Sequence, residues 1–179
     1  MTTRRIWLTR ANGLTVLRLL FAPALASAIL SGEAVAATVL FWLAVATDVA
    51  DGRVARRFGE ASGHGRLIDH AADAIFVSVG AAALAHTGAL PVVLAPLIAV
   101  AFLHYAADSR LHSSREPRAS RLGRWNGIAY YVVVAVPIIR DALRLSWPEP
   151  RWVEAFGWLL VATTLASIVN RLGFSPPAE

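Results

Sequence analysis

The chain is expected to be an all-α integral membrane protein: six transmembrane helices preceded by a short N-terminal interfacial helix. Three observations predict this. Of its 179 residues, 56% are hydrophobic and the mean hydropathy is +0.55, too apolar for an ordinary soluble domain of this length. Charges, glycines and prolines cut it into six apolar stretches, each near the roughly 20 residues that cross a bilayer. Arginines then collect in alternate connections, as the positive-inside bias requires of a chain that weaves across a membrane.

Taken in order, the apolar stretches run from about Asn12 to Leu30, Ala34 to Ala50, Leu67 to His86, Leu90 to Ala107, Trp125 to Ile139, and Trp152 to Val169. One side of the membrane holds Arg4, Arg5 and Arg10, then Arg53, Arg56, Arg57 and Arg66, then Arg110, Arg115, Arg118, Arg121 and Arg124, and finally Arg171. The opposite side holds only Arg140, Arg144 and Arg151. Both termini are therefore expected in the cytoplasm, with the protein in the cell membrane. Residues 1–10, with Ile6, Trp7 and Leu8 set among arginines, read as the interfacial helix, and 175–179 as a flexible tail. A cleavable secretory signal fits less well, because Arg18 interrupts the apolar run and removing that helix leaves an odd number of spans. The whole of 1–179 is expected to form one domain, with no internal repeat.

The formal charge of +5 comes wholly from arginine, as the chain has no lysine. In a membrane protein this favours topology, anionic headgroups and phosphate-bearing substrates over nucleic acid, for which nothing resembles a reading helix or stacking platform. With no cysteine, disulfides and thiol catalysis are excluded.

Between 48 and 73 the apolar pattern gives way to four aspartates: Asp48 and Asp51 three residues apart, Asp69 and Asp73 four apart. Residues at those spacings share a helical face, so two neighbouring helices can bring the four together. Two carboxylates about 4 Å apart repel by roughly 4 kcal/mol at an effective dielectric near 20, a penalty that a divalent cation removes. Hard oxygen ligands favour Mg²⁺, Mn²⁺ or Ca²⁺. Gly52 and Ala55 continue the stripe without bulk, leaving room for a ligand or for a neighbouring helix. Arg56 is one turn on and suits a phosphate. The stretch Phe58 to Gly65, with Gly59, Gly63 and Gly65, is expected to be a flexible turn. Asp69 also suits a helix N-terminus, whereas Asp73 lies deeper and its cost in a membrane points to function.

The order Asp48, Asp51, Gly52, Ala55, Arg56, Gly65, Asp69, Asp73 resembles, at every specified position, the signature of the CDP-alcohol phosphotransferase family. That resemblance implies transfer of a phosphoalcohol from a CDP-alcohol, often CDP-diacylglycerol, to a hydroxyl acceptor with release of CMP. It implies two divalent ions, Mg²⁺ or Mn²⁺, held by Asp48, Asp51, Asp69 and Asp73. Asp73 would also take the acceptor's proton, while Gly52, Ala55, Arg56 and Gly65 would surround the CDP moiety. A homodimer is implied too. His70 and Ala74 stand beside the third and fourth aspartates, where phosphatidylglycerophosphate synthases often have proline and lysine, and look more like the aminoalcohol branch. The compact chain instead resembles a bacterial phosphatidyltransferase.

CDP-diacylglycerol is accordingly the expected donor and glycerol 3-phosphate the first guess for the acceptor. Transfer from a soluble CDP-aminoalcohol to diacylglycerol is the alternative within the family. Arg110 and Arg124, at the membrane ends of the connection His104 to Arg124, are the candidate acceptor ligands; topology and lipid attraction are the plainer account of the arginines there. Asn12, Thr15 and Arg18 share a face of the first span, where interfacial anchoring and snorkelling are the favoured reading and balance of the aspartates the other. His64 and His70 read as solvated interfacial histidines. A small proton- or cation-coupled transporter would explain the acids but not Gly52, Ala55, Arg56 and Gly65. An inactive lipid-binding family member would have little use for four intact aspartates.

Overall fold

The computed structural model describes residues 10–58, 63–111 and 121–173, and these form an all-helical bundle. The helices are α1 (Arg10–Leu30), α2 (Ala34–Phe58), α3 (Gly63–His86), α4 (Leu94–Leu111), α5 (Arg121–Ala142) and α6 (Pro150–Gly173). The expected tail and, apart from Arg10, the expected interfacial helix lie outside the described residues.

Among the described residues, three helices carry segments long and apolar enough to cross a membrane, by length and composition: Leu67–His86, Leu122–Ala142 and Pro150–Asn170. In the other three helices the described apolar segments are Thr15–Leu30, Ala34–Ala50 and Leu94–Ala107.

Helix boundaries depart from expectation in two places that matter for the site. The turn expected from Phe58 to Gly65 is shorter, since α3 already begins at Gly63 and takes Gly65 into its first turn. The connection expected from His104 to Arg124 is helical at both of its ends: α4 runs on to Leu111 and α5 starts at Arg121. Continuing the helix keeps backbone amides and carbonyls paired where polar side chains approach the membrane edge, which an irregular loop there would leave unsatisfied. In the other direction, α4 begins at Leu94 rather than Leu90, after Pro91. The Leu94 amide donates to the Pro91 carbonyl at 3.0 Å to start it.

At the opposite end of the bundle, α1, α3 and α5 stop in the same way. Gly32 (φ 72°), Gly88 (φ 78°) and Arg144 (φ 54°) each adopt the left-handed conformation. The following amide then reaches back to a carbonyl of the last turn: Glu33 to Ala28 at 2.9 Å, Ala89 to Leu84 at 2.9 Å, Leu145 to Arg140 at 2.9 Å. These caps make tight reversals, and they fix the ends remote from the aspartates.

Helix α3 sits at the centre, packing against α1, α4 and α5, while α2 packs on α1 and α5, and α6 on α4 and α5. The core is built from Leu25 of α1, Phe41 of α2, Phe76 and Val77 of α3, Ile98 of α4, Val133 and Val134 of α5, and Leu160 of α6. Many large apolar side chains point outward instead, among them Leu20, Val35, Val39, Leu103 and Trp158. A polar solvent would penalise so wide an apolar exterior, whereas lipid tails would not.

Two glycines allow close approach. A Cβ on Gly80 would lie 3.0 Å from Val134 Cγ1 and 3.2 Å from Leu25 Cδ2, so α1, α3 and α5 meet there. On Gly157 it would lie 2.6 Å from Pro91 Cδ, a ring atom that cannot swing aside. Gly157→Ala is therefore expected to destabilise the bundle by about 1–3 kcal/mol through overpacking. Thermal unfolding in detergent reads this directly. Gly127→Ala, where a Cβ meets nothing within 4 Å, is the control that should leave the midpoint unchanged or slightly raised.

Candidate active site

Helical geometry accounts for the placement of the acidic residues. Asp48 lies late in α2; Asp69 and Asp73, four residues apart and hence on one face, lie early in α3. Because the two helices are consecutive and antiparallel, their polar ends meet at the same end of the bundle. One carboxylate oxygen from each of Asp48, Asp69 and Asp73 lies within 4.8 Å of the others. Their side chains remain 40%, 31% and 23% exposed in that order, so the cluster descends from the bundle's edge towards its interior with Asp73 deepest.

Arg18 of α1 reaches into this cluster. It is fully buried, and its guanidinium lies 3.1 Å from Asp48 (Nη2 to Oδ1), 2.8 Å from Asp69 (Nη1 to Oδ1) and 2.6 Å from Asp73 (Nη1 to Oδ1). The snorkelling reading of this arginine is thereby corrected: its head group turns inward to the aspartates. A charged side chain within a membrane costs roughly 2.5–3.5 kcal/mol on insertion scales unless it is paired, and three carboxylates supply the pairing. Thr15, one turn earlier, is buried too, while the Asn12 side chain lies outside the described residues.

Asp73 has a second partner. The Tyr131 hydroxyl of α5 donates to Asp73 Oδ1 at 2.7 Å, the same oxygen that receives Arg18. The ring of Tyr131 is held by Phe41 of α2 and Phe76 of α3, at centroid distances of 6.1 and 6.3 Å. Sequence reasoning missed Tyr131. Its only signal was a phenol within an apolar helix, and nothing local tied it to an acid 58 residues away.

The other expected ligands are only partly described. Asp51, Gly52, Ala55 and Arg56 continue α2 and Gly65 lies in the first turn of α3, but their side chains fall outside the described residues. The same holds for Arg110 of α4 and for His64. Arg124 of α5 is exposed and lines the cavity described next.

A cavity of about 780 Å³ opens beside the cluster, bounded by α2 to α6. Asp48, Asp73, His70, Arg124 and Tyr131 supply polar groups to its wall. Phe41, Trp42, Val77, Ile98, Phe102 and Ile168 make much of the rest apolar. His70 is exposed, as expected, and also lines the cavity, packing edge-on against Tyr105 at 5.7 Å. Between α5 and α6, Thr164 Oγ1 donates to the Leu160 carbonyl at 2.6 Å. A threonine hydroxyl has one hydrogen, so in the 2.6 Å contact of Tyr130 with Thr164 it is the Tyr130 hydroxyl that donates. That strip consumes its own hydrogen bonds and braces the wall.

The donor set fits a hard divalent cation. Oxygens that ligate one such ion at about 2.1–2.5 Å sit roughly 3–5 Å apart, which is the spacing of this trio. Counting the three described carboxylates against Arg18 leaves a formal charge of −2 (−3 + 1) at the cluster. An amphipathic cavity ending in such a cluster can hold a molecule with an apolar body and an anionic, metal-chelating head.

No curated protein matches the chain. The family model of CDP-alcohol phosphatidyltransferase matches residues 8–169, which takes in all six helices except the last four residues of α6. The chain belongs to the CDP-alcohol phosphatidyltransferase family.

Proposed function

We propose that this protein is a metal-dependent phosphatidyltransferase of phospholipid synthesis that uses CDP-diacylglycerol as donor. Membership of the family supports phosphatidyl transfer from a CDP-alcohol. The observation that carries the finer reading is the convergence of Asp48, Asp69 and Asp73 beside a largely apolar cavity. Lipid tails suit the apolar wall and a cytidine diphosphate suits the polar end.

In this reading all six helices span the membrane as one domain, with the active site and both termini in the cytoplasm and two copies forming a dimer. The arginine asymmetry supports that sidedness. Asp48, Asp51, Asp69 and Asp73 hold two divalent ions, Mg²⁺ or Mn²⁺, which when bound supply the neutralisation of charge on the pyrophosphate. Gly52, Ala55, Arg56 and Gly65 border the CDP moiety. Arg110 and Arg124 are candidates for the acceptor, with glycerol 3-phosphate the first to try.

The reaction balances without any further reagent. The acceptor oxygen bonds to the phosphorus that bears diacylglycerol, the bond from that phosphorus to the bridging oxygen breaks, and CMP departs. The hydroxyl proton passes to Asp73. A carboxylate is a weak base for an alcohol, so positioning must assist it, and the Tyr131 hydrogen bond helps to hold the carboxylate in place.

Purified protein given CDP-diacylglycerol or a CDP-aminoalcohol, each with its acceptors, tests the proposal by CMP release. The panel for CDP-diacylglycerol comprises glycerol 3-phosphate, serine, inositol, inositol phosphate and phosphatidylglycerol. Release only with the soluble donor would transfer the protein to the aminoalcohol branch, and ion flux in liposomes without any CDP substrate would favour a transporter. Tyr131→Phe is expected to lower kcat about tenfold, the scale of one hydrogen bond to a charged group, with little change in donor KM. An unaltered kcat would remove Tyr131 from the positioning of Asp73.

A further inference from the structure

We infer that Arg18 is a resident counter-cation of the aspartate cluster, which holds Asp48, Asp69 and Asp73 together before metal binds and competes with the metal for their oxygens. The inference rests on the proposed reading of these aspartates as metal ligands. It goes beyond that reading by assigning the affinity of the site to a residue of α1.

The geometry points to competition. The three described ion pairs of Arg18 fall on Oδ1 atoms, on Asp48, Asp69 and Asp73 alike, and these are the described residues whose oxygens gather closely enough for one cation. Nη1 serves both aspartates of α3 while Nη2 serves the aspartate of α2, so one planar fork ties three helices at a single point. A guanidinium stays charged under all physiological conditions. Three mutually repelling carboxylates can therefore be assembled in the absence of metal.

The same positive charge lies within about 3 Å of the oxygens and must weaken their attraction for a second cation. Arg18 thus trades affinity for order. Without metal it stabilises the cluster, and with metal it limits how tightly the ion is held.

Mn²⁺ binding to the detergent-solubilised, metal-stripped full chain, read from the electron paramagnetic resonance signal of free Mn²⁺, tests this in wild type, Arg18→Gln and Arg18→Lys. Arg18→Gln is expected to bind Mn²⁺ about tenfold more tightly or better, because a repelling unit charge is gone. Its metal-free thermal midpoint should fall below that of wild type and recover on adding Mn²⁺, by a larger shift than wild type shows. Arg18→Lys keeps the charge but not the fork and should lie nearer to wild type in affinity. Unchanged or weaker Mn²⁺ binding by Arg18→Gln would overturn the inference. If that variant survives purification only in metal-containing buffer, the substitution of one cation for the other is supported; if it fails with metal as without, Arg18 is a plain strut and the inference falls. Failure of wild type itself to bind Mn²⁺ would instead remove the metal reading of the aspartates.

Discussion

Asp73→Asn is expected to reduce CMP release by about a thousandfold, within the range attributed to a positioned general base. The amide is nearly the same shape, so packing among α1, α3 and α5 should survive, but it cannot accept a proton from the acceptor hydroxyl. It also removes one negative charge from a cluster in which Arg18 and Tyr131 both address Asp73 Oδ1. The loss should appear in kcat, with binding of the CDP donor retained, because the pyrophosphate is engaged by the rest of the cluster. Steady-state kinetics with thermal unfolding of the same preparation separates lost chemistry from lost fold. Activity within a few-fold of wild type would end the role proposed for Asp73.

Stripping divalent ions with a chelator is expected to bring CMP release to background, and Mg²⁺ or Mn²⁺ to restore it. The physical reason is charge. The described aspartates and Arg18 together carry −2, and a diphosphate brought beside them adds further negative charges. Each like-charge pair at about 4 Å costs roughly 4 kcal/mol at an effective dielectric near 20, more than binding of the nucleoside can offset if several pairs are present. A divalent ion reverses the sign of that interaction. Activity that persists after exhaustive chelation would show that Arg18 alone neutralises the donor, and the metal proposal would have to be abandoned.

The site was legible in the sequence to the extent that it is local. Asp69 and Asp73 stand four residues apart, and a helix of any kind puts them on one face. Asp48 precedes them by one short connection, and α1 and α5, which pack on both α2 and α3, bring it near. The apolar segments were legible for the same reason, since length and composition are properties of a segment alone. Their ends were less so: Gly63 and Gly65 suggested a turn, yet both are helical, because pairing of backbone groups near a membrane outweighs the intrinsic weakness of glycine in helices.

Arg18 and Tyr131 mark where that legibility stopped. Arg18 had two reasonable fates, outward to the headgroups or inward to the acids, and which one it takes depends on how α1 is rotated against α2 and α3. In a bilayer no hydrophobic gain between helices selects that rotation; close packing at positions such as Gly80, against Val134 and Leu25, does. Once α1 is seated there, burial makes a lone guanidinium costly and the acids become its partners.

The amino-acid order alone thus established a helical membrane chain, the acidic motif and the family to which it points, all of which are written in spacing along single helices. The pairing of Arg18 with three aspartates, the phenol on Asp73 and the apolar cavity beside them arose only when the six helices packed together. Contacts between residues 30 to 58 positions apart depend on the mutual rotation of helices, and spacing within one helix carries no information about that angle.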